Sequence, residues 1–164
     1  MKLEWRRTRV VDVPAEMLLA TGGLPLVARV LMARGMSDPD VVRRFLDSEA
    51  AGSTPPAALH DLSRGAERVE RAIADGEQVL VWGDFDVDGQ TSTALLVSAL
   101  AGLGGQVEYH IPIREKESHG IRPDVLQAYL DEGIGLLLTC DTGIASVDAV
   151  DTANAAGVDV VVTD

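Results

Sequence analysis

Residues 79–89 have the sequence Val79-Leu80-Val81-Trp82-Gly83-Asp84-Phe85-Asp86-Val87-Asp88-Gly89, an apolar strand that ends in three alternating carboxylates. Carboxylates this close together repel one another, and an ordinary loop gains nothing from that repulsion. A bound divalent cation would remove it, because hard cations take oxygen ligands. The segment is therefore the first candidate for a functional site.

Apolar strands alternate with helices along residues 61–164. We predict strands at 78–83, 107–111, 135–140 and 158–163, and helices at 61–75, 91–103, 123–132 and 145–156. Continuous runs of Val, Leu and Ile are typical of strands covered on both faces, and their alternation with helices indicates a parallel sheet. The predicted fold class is therefore α/β, a parallel sheet with helices on both faces.

The first sixty residues have a different pattern. Leu24–Arg34 is apolar at helical spacing, and Ser37-Asp38-Pro39 is typical of a helix start that leads into Asp40–Asp47. Ala51–Pro56 is predicted to be a loop. We therefore divide the chain into a short helical N-terminal lead-in, residues 1–60, and an α/β region, residues 61–164.

Composition narrows the class of protein. Cys140 is the only cysteine, so no internal disulfide can form. No apolar run approaches the roughly 20 residues that a membrane span needs, and the N-terminus lacks the apolar core of a secretion signal. These features predict a cytoplasmic protein without a membrane partner.

Charge is distributed unevenly over a chain whose formal net charge is −12. Residues 1–71 carry 11 basic and 10 acidic side chains, whereas residues 72–164 carry 3 basic and 16 acidic ones. The acidic half should repel nucleic acid unless metal ions or other parts of a larger protein intervene.

Three of the four predicted strands lead into an aspartate: Asp84, Asp141 and Asp164. The carboxyl ends of parallel strands lie at one edge of a sheet, where ligands bind, so acids distant in sequence can converge there. Capping of the following helix would explain a single such Asp. It does not explain three acids at one strand end together with two others, which favours a metal site.

Three kinds of site share the Asp-x-Asp-x-Asp-Gly pattern. An EF-hand calcium loop is rejected, because its twelfth position is Leu95 instead of Glu and a strand precedes it. An aspartyl-phosphate phosphatase of the haloacid dehalogenase type stays an alternative, although Gln90 separates Gly89 from Thr91. The third is a two-metal phosphoesterase, in which paired cations activate a water and neutralise the phosphate.

The acidic segments resemble the motifs of the DHH phosphoesterase superfamily, most closely its RecJ-type branch of single-strand-specific 5′→3′ DNA exonucleases. The resemblance covers nearly the whole chain, including the helical lead-in. Its motifs are Gly83–Gly89 with Thr91-Ser92-Thr93-Ala94, then Cys140-Asp141-Thr142-Gly143-Ile144, then Val160–Asp164, which ends at its Asp. The departures are Phe85 for a usual Tyr, Thr142 for Asn, and Glu115–His119 in place of a Gly-Tyr-Gly-type loop.

The resemblance implies roles for individual residues. Asp86 and Asp88 would each hold a metal, and Asp141 would bridge two ions of Mn²⁺ or Mg²⁺. Asp84 would be a further ligand or a hydrogen-bond partner of the ligands, and Asp164 would orient histidines of the family's third motif. Candidate phosphate contacts are Gly89, Thr91, Ser92, Arg114 and His119.

The resemblance also implies a function. It predicts a metal-dependent exonuclease that releases 5′-mononucleotides from single-stranded DNA in repair and recombination, with a single-strand-binding protein or a helicase as candidate partners. The family's two histidines would follow Asp164, so we expect residues 61–164 to be an incomplete catalytic domain, inactive by itself.

Two alternatives stay open. One is a phosphodiesterase or pyrophosphatase for small substrates, although that branch usually has a His where this chain has Trp82. The other is a non-catalytic scaffold with the same fold, although scaffold relatives tend to lose the acids that this chain keeps.

Overall fold

The computed structural model describes residues 12–49 and 54–164. The chain forms two compact units, Met1–Pro56 and Ala57–Asp164. The predicted loop at residues 51–56 lies partly outside the described residues, which omit 50–53. Within the described part of the chain, no helix is both long and apolar enough to cross a membrane.

The first unit is helical. Its helices are α1 (Ala15–Ala20), α2 (Pro25–Ala33) and α3 (Pro39–Leu46). They enclose a small core of Met17, Ala20, Leu31 and Val42. Helix α3 begins where the sequence predicts, because the Asp38 side chain accepts hydrogen bonds from the backbone amides of Asp40 and Val41. Helix α1 was not predicted, since six residues are too few to show a helical period.

A short 3-10 helix, Pro56–Ala58, spans the boundary between the units, and the second unit then alternates helices and strands. Its elements are α4 (Leu62–Asp75), β1 (Gln78–Trp82), α5 (Val87–Gly102), β2 (Gln106–His110), α6 (Arg114–Glu117), α7 (Pro123–Glu132), β3 (Leu136–Thr139), α8 (Val147–Ala155) and β4 (Asp159–Val161).

The four strands form one parallel sheet in the order β2-β1-β3-β4. Alternate residues of β1 serve opposite faces: Leu80 and Trp82 pack with residues of α7 and α8, and Val79 and Val81 pack with residues of α4 and α5. Both faces are covered by helices, which confirms the predicted α/β fold class.

Helix α5 begins at Val87, four residues before the predicted start at Thr91. The reason is a local cap: the Asp86 carboxylate accepts a hydrogen bond from the Gly89 amide at 3.0 Å. Asp88 and Gly89 therefore lie in the first helical turn, and the predicted helix start at Thr91 is wrong. Helix α6 was also missed, because its four residues carry no periodic signal.

Arg68, a largely enclosed arginine, links the segments at the edge of the sheet where the strands begin. Arg68 of α4 donates hydrogen bonds to Glu77 at 2.6 Å and to the Gly135 carbonyl at 3.0 Å, and it also pairs with Asp159. These partners precede β1 and β3 and open β4. The Arg68 side chain is only 13% exposed, so its bonds are poorly screened by water.

We expect Arg68→Met to lower the free energy of unfolding by about 1–3 kcal/mol, because it leaves the half-buried Glu77 carboxylate without its cation. Urea denaturation followed by circular dichroism measures the change. Arg64→Met is the matched control on the same helix, since Arg64 is 86% exposed and should tolerate the change. Equal midpoints for the two variants would contradict the role of Arg68.

Candidate metal-dependent site

Acidic residues collect where the chain leaves β1, β3 and β4. Asp84, Asp141 and Asp164 follow these strands within two or three residues. Strands β1 and β3 are neighbours, and the chain passes from β1 outward to β2 before it returns to β3 on the other side. This arrangement is a topological switch point, the place where parallel sheets bind ligands.

Asp84 is the most enclosed of these acids, with a side chain that is 11% exposed. One carboxylate oxygen accepts a hydrogen bond from the Phe85 amide at 2.7 Å, and the other lies 3.2 Å from Nδ1 of His119. Helix α5 passes directly over its backbone, because a Cβ added at Gly89 would stand 2.5 Å from the Asp84 carbonyl oxygen. Only glycine permits this approach.

Asp86 and Asp88 stand at the start of α5. Asp86 is the N-cap residue and Asp88 lies in the first turn, and both are exposed. The positive end of the helix dipole favours negative charge at these positions. The helix thus offsets part of the repulsion that crowded carboxylates would otherwise suffer.

Asp141 adopts a left-handed backbone conformation, with φ of 57°, and its amide donates to the Thr163 carbonyl at 3.0 Å. The turn then needs glycine at position 143, where φ is 115° and an added Cβ would lie 2.7 Å from Oγ1 of Thr139. This turn brings the Asp141 carboxylate to the edge where β1 and β3 end.

The pKa of Asp141 is raised by desolvation and then by the negative charges of four acids. Those acids are Asp86, Asp88, Asp84 and Asp164. Asp141 therefore lies within electrostatic range of the four other acids. The structure brings together the acids that the sequence singled out, although they lie up to eighty residues apart.

Asp164 has a further contact, since its carboxylate accepts a hydrogen bond from the Ile144 amide at 3.1 Å. This bond links the segment after β4 to the turn after β3. A role for Asp164 in orienting histidines stays a prediction.

The donor set fits a hard divalent cation, because it consists of carboxylate oxygens that repel one another. Within residues 12–49 and 54–164, however, no three His, Cys, Asp or Glu side chains stand as a group that could hold a metal ion. Asp84 and Asp86 are engaged in local hydrogen bonds instead. Each of these carboxylates keeps further lone pairs, so the hydrogen bonds do not prevent it from contacting a cation.

The predicted phosphate contacts fall into two groups. The hydroxyls of Thr91 and Ser92 donate to carbonyls of their own helix, at 2.8 Å to Val87 and 2.7 Å to Asp88. Because their hydroxyl protons are committed to the helix backbone, they are weaker candidates than the sequence indicated. Gly89 lies in the first turn of the same helix, where its amide is bonded to Asp86.

Arg114 and His119 meet at Phe85. The Arg114 guanidinium lies 5.1 Å from the centre of the Phe85 ring, and the His119 ring lies 4.5 Å from it. Both cation–π and aromatic contacts stabilise this grouping beside Asp84. Sequence analysis missed the part played by Phe85, although an aromatic residue between two acids was a usable signal.

Comparison with known proteins shows which family this chain resembles. A family model described as "DHH family, N-terminal domain" matches residues 78–164. The single-stranded-DNA-specific exonuclease RecJ of Bacillus subtilis is 36% identical over 140 residues, which are 85% of this chain and 18% of that protein. RecJ of Escherichia coli is 33% identical over 167 residues, 99% of this chain and 27% of that protein.

A crystal structure of exonuclease RecJ bound to manganese is also similar, with a TM-score of 0.63 and 37% identity. The match covers 68% of this chain and 29% of that one. The chain thus spans 18–27% of the length of the two curated relatives described above.

We expect Gly89→Ala to destabilise the second unit by about 1–3 kcal/mol, because the new methyl group would collide with the Asp84 backbone. Gly102→Ala is the matched control at the other end of α5, where nothing lies within 4 Å of an added Cβ. The free energy of unfolding of the control should rise by about 0.5–1 kcal/mol, because alanine lowers the chain entropy of the unfolded state. Chemical denaturation of both variants checks the pair, and a gain for both would refute the close approach.

We expect Asp141→Asn to raise the melting temperature slightly at neutral pH and low salt, because it removes one of five mutually repelling negative charges. Asparagine also tolerates the left-handed backbone at this position. Differential scanning calorimetry without metal measures the gain, which added salt should reduce by screening. A lower melting temperature would show that the carboxylate stabilises the metal-free chain.

Proposed function

This chain belongs to the DHH family, and we propose that it is part of a metal-dependent exonuclease that degrades single-stranded DNA from the 5′ end. The carrying observation is that Asp84, Asp86, Asp88 and Asp164 lie near enough to Asp141, at the switch point of the sheet, for their charges to raise its pKa. A bound divalent cation would offset this repulsion, because hard cations take carboxylate oxygens as ligands.

In this proposal Asp86, Asp88 and Asp141 hold two divalent cations, Mn²⁺ or Mg²⁺, with Asp84 as a further ligand or a partner of the ligands. When bound, the cations supply an activated water and neutralise phosphate charge. The manganese in the similar RecJ crystal structure supports Mn²⁺ as the first ion to test. Asp164 positions groups that follow it in the chain.

Substrate binding in this proposal depends on the few basic residues near the acids. Residues 72–164 carry only 3 Lys or Arg side chains, so the acidic edge repels phosphate unless cations are bound. Arg114 and His119, which adjoin Asp84 through Phe85, are the best placed to contact a phosphate of the strand.

The identity of residue 82 favours long DNA over small molecules as the proposed substrate. The small-substrate branch of the family usually has a His there, whereas Trp82 is completely buried in the core and cannot reach a metal. A role in repair and recombination, a cytoplasmic location, and a single-strand-binding protein or helicase as partner stay predictions from the resemblance.

The test uses the full-length protein with Mn²⁺ and single-stranded DNA labelled at one end. We expect stepwise release of mononucleotides from the 5′ end, stopped by EDTA. Asp141→Asn should lower the rate by more than about 100-fold, because a shared ligand is lost. Asp151→Asn, an exposed acid on α8, is the control and should keep the parent rate.

Different outcomes overturn different parts of the proposal. Hydrolysis of a dinucleotide or pyrophosphate alone would assign the protein to the small-substrate branch. No hydrolysis of any substrate would favour the scaffold alternative, and full activity of Asp141→Asn would refute the bridging role of that residue.

A further inference from the structure

Helix α6, Arg114–Glu117, is too short to be stable alone, since isolated helices need about 12–15 residues. The residue that ends it, Ser118, adopts φ of 64° and ψ of −159°, a conformation that is unfavourable for any residue but glycine. This segment nevertheless carries Arg114 and His119 to Phe85. Contacts from outside the segment must therefore hold it in place.

Glu117 supplies the main contacts. One carboxylate oxygen lies 2.7 Å from Nε2 of His110, and the other accepts a hydrogen bond from the Ile113 amide at 3.0 Å. The side chain of Glu117 is only 12% exposed and that of His110 only 15%. Desolvation would raise the pKa of Glu117, but the bonds from Ile113 and His110 outweigh it and lower the pKa, which keeps the carboxylate charged.

His110 is itself fixed from three sides. It ends β2, its Nδ1 lies 3.0 Å from the Tyr129 hydroxyl, and its ring lies 4.2 Å from the ring of Trp82. Trp82 is fully buried and stands two residues before Asp84. The chain of contacts therefore runs from the rigid end of β1 through His110 to Glu117.

A second hydrogen bond holds the same segment. Arg122, which precedes α7, donates to the Lys116 carbonyl at 3.1 Å. This bond reaches the backbone of α6 from the exposed side, and its donor is 45% exposed. The His119 side chain, which is 69% exposed, makes a third contact, at 3.2 Å from Asp84. The enclosed pair of His110 and Glu117 is the strongest of the three attachments, because water competes least for it.

We propose that His110 and Glu117 form a positioning latch that holds α6 so that Arg114 and His119 stand beside the acids. The inference rests on the proposed function, because it assigns the latch to substrate binding. Neither latch residue touches the substrate or the metal. Both act through the segment 113–119, whose position determines where the Arg114 guanidinium meets a phosphate.

The kinetic test uses the full-length protein and single-stranded DNA. We expect Glu117→Ala and His110→Ala to raise KM about tenfold with kcat changed less than about twofold, because the lost contacts serve binding alone. The affinity for Mn²⁺ should not change. Glu115→Ala is the matched control on the same helix, since Glu115 is exposed and should leave both parameters at the parent values.

A double-mutant cycle separates the latch from a general structural effect. If Glu117 acts through Arg114, Glu117→Ala should add little to KM in an Arg114→Ala background. Additive increases in KM, or a loss confined to kcat, would overturn the latch. Should Glu117→Ala not fold, Glu117→Gln keeps the side-chain volume and is measured in the same cycle.

Hydrogen–deuterium exchange of the full-length protein tests the latch without activity. Glu117→Ala should speed exchange of amides in 113–119 and leave those of β3 unchanged, whereas Glu115→Ala should alter neither. Unchanged exchange in 113–119 would overturn the latch. An inactive parent protein would refute the proposed function only, and exchange would still decide whether the latch exists.

Discussion

Repulsion among carboxylates at one edge of the sheet is the constraint on which the rest of this structure depends. Asp141 lies near enough to four other acids that their charges raise its pKa. The backbone cannot relax to separate them, because β1 and β3 are adjacent strands of a buried parallel sheet. Repulsion among these carboxylates therefore opposes folding of the metal-free chain, and a bound divalent cation would remove that repulsion.

Close backbone packing maintains that crowding. An added Cβ at Gly83 would lie 2.0 Å from Oγ1 of Thr93, and one at Gly89 would lie 2.5 Å from the Asp84 carbonyl oxygen. Helix α5 thus packs closely against the end of β1 at two glycines. The Thr93 hydroxyl at this contact donates a hydrogen bond to the Gly89 carbonyl at 2.7 Å. The acids on α5 and the acid after β1 consequently cannot drift apart without breaking the core.

The sequence predicted most of this arrangement, because its strongest signals are physical ones. Short apolar runs bounded by turn residues, such as Leu136–Leu138 after Gly135, are typical of strands buried on both faces, and parallel strands place their carboxyl ends at one edge. What it could not predict depends on tertiary contacts. His110 and Glu117 are seven residues apart, and nothing in their spacing shows that they meet. The start of α5 at Val87 could have been predicted from Asp86, which is a typical N-cap residue three positions before Gly89. The alternating acids instead resembled a loop.

The two edges of the sheet differ in how their acidic residues are neutralised. Where the strands begin, Arg68 neutralises Glu77 and Asp159 and joins three strands through well-satisfied bonds. Where they end, no lysine or arginine of the described residues pairs with the acids at the switch point; His119 lies 3.2 Å from Asp84, and Arg114 contacts Phe85. The acids at one edge are thus neutralised by an arginine of the fold, whereas at the other edge the proposed function assigns the positive charge to a bound cation. The position of the segment 113–119 then matters, because it places Arg114 against Phe85, the residue that follows Asp84.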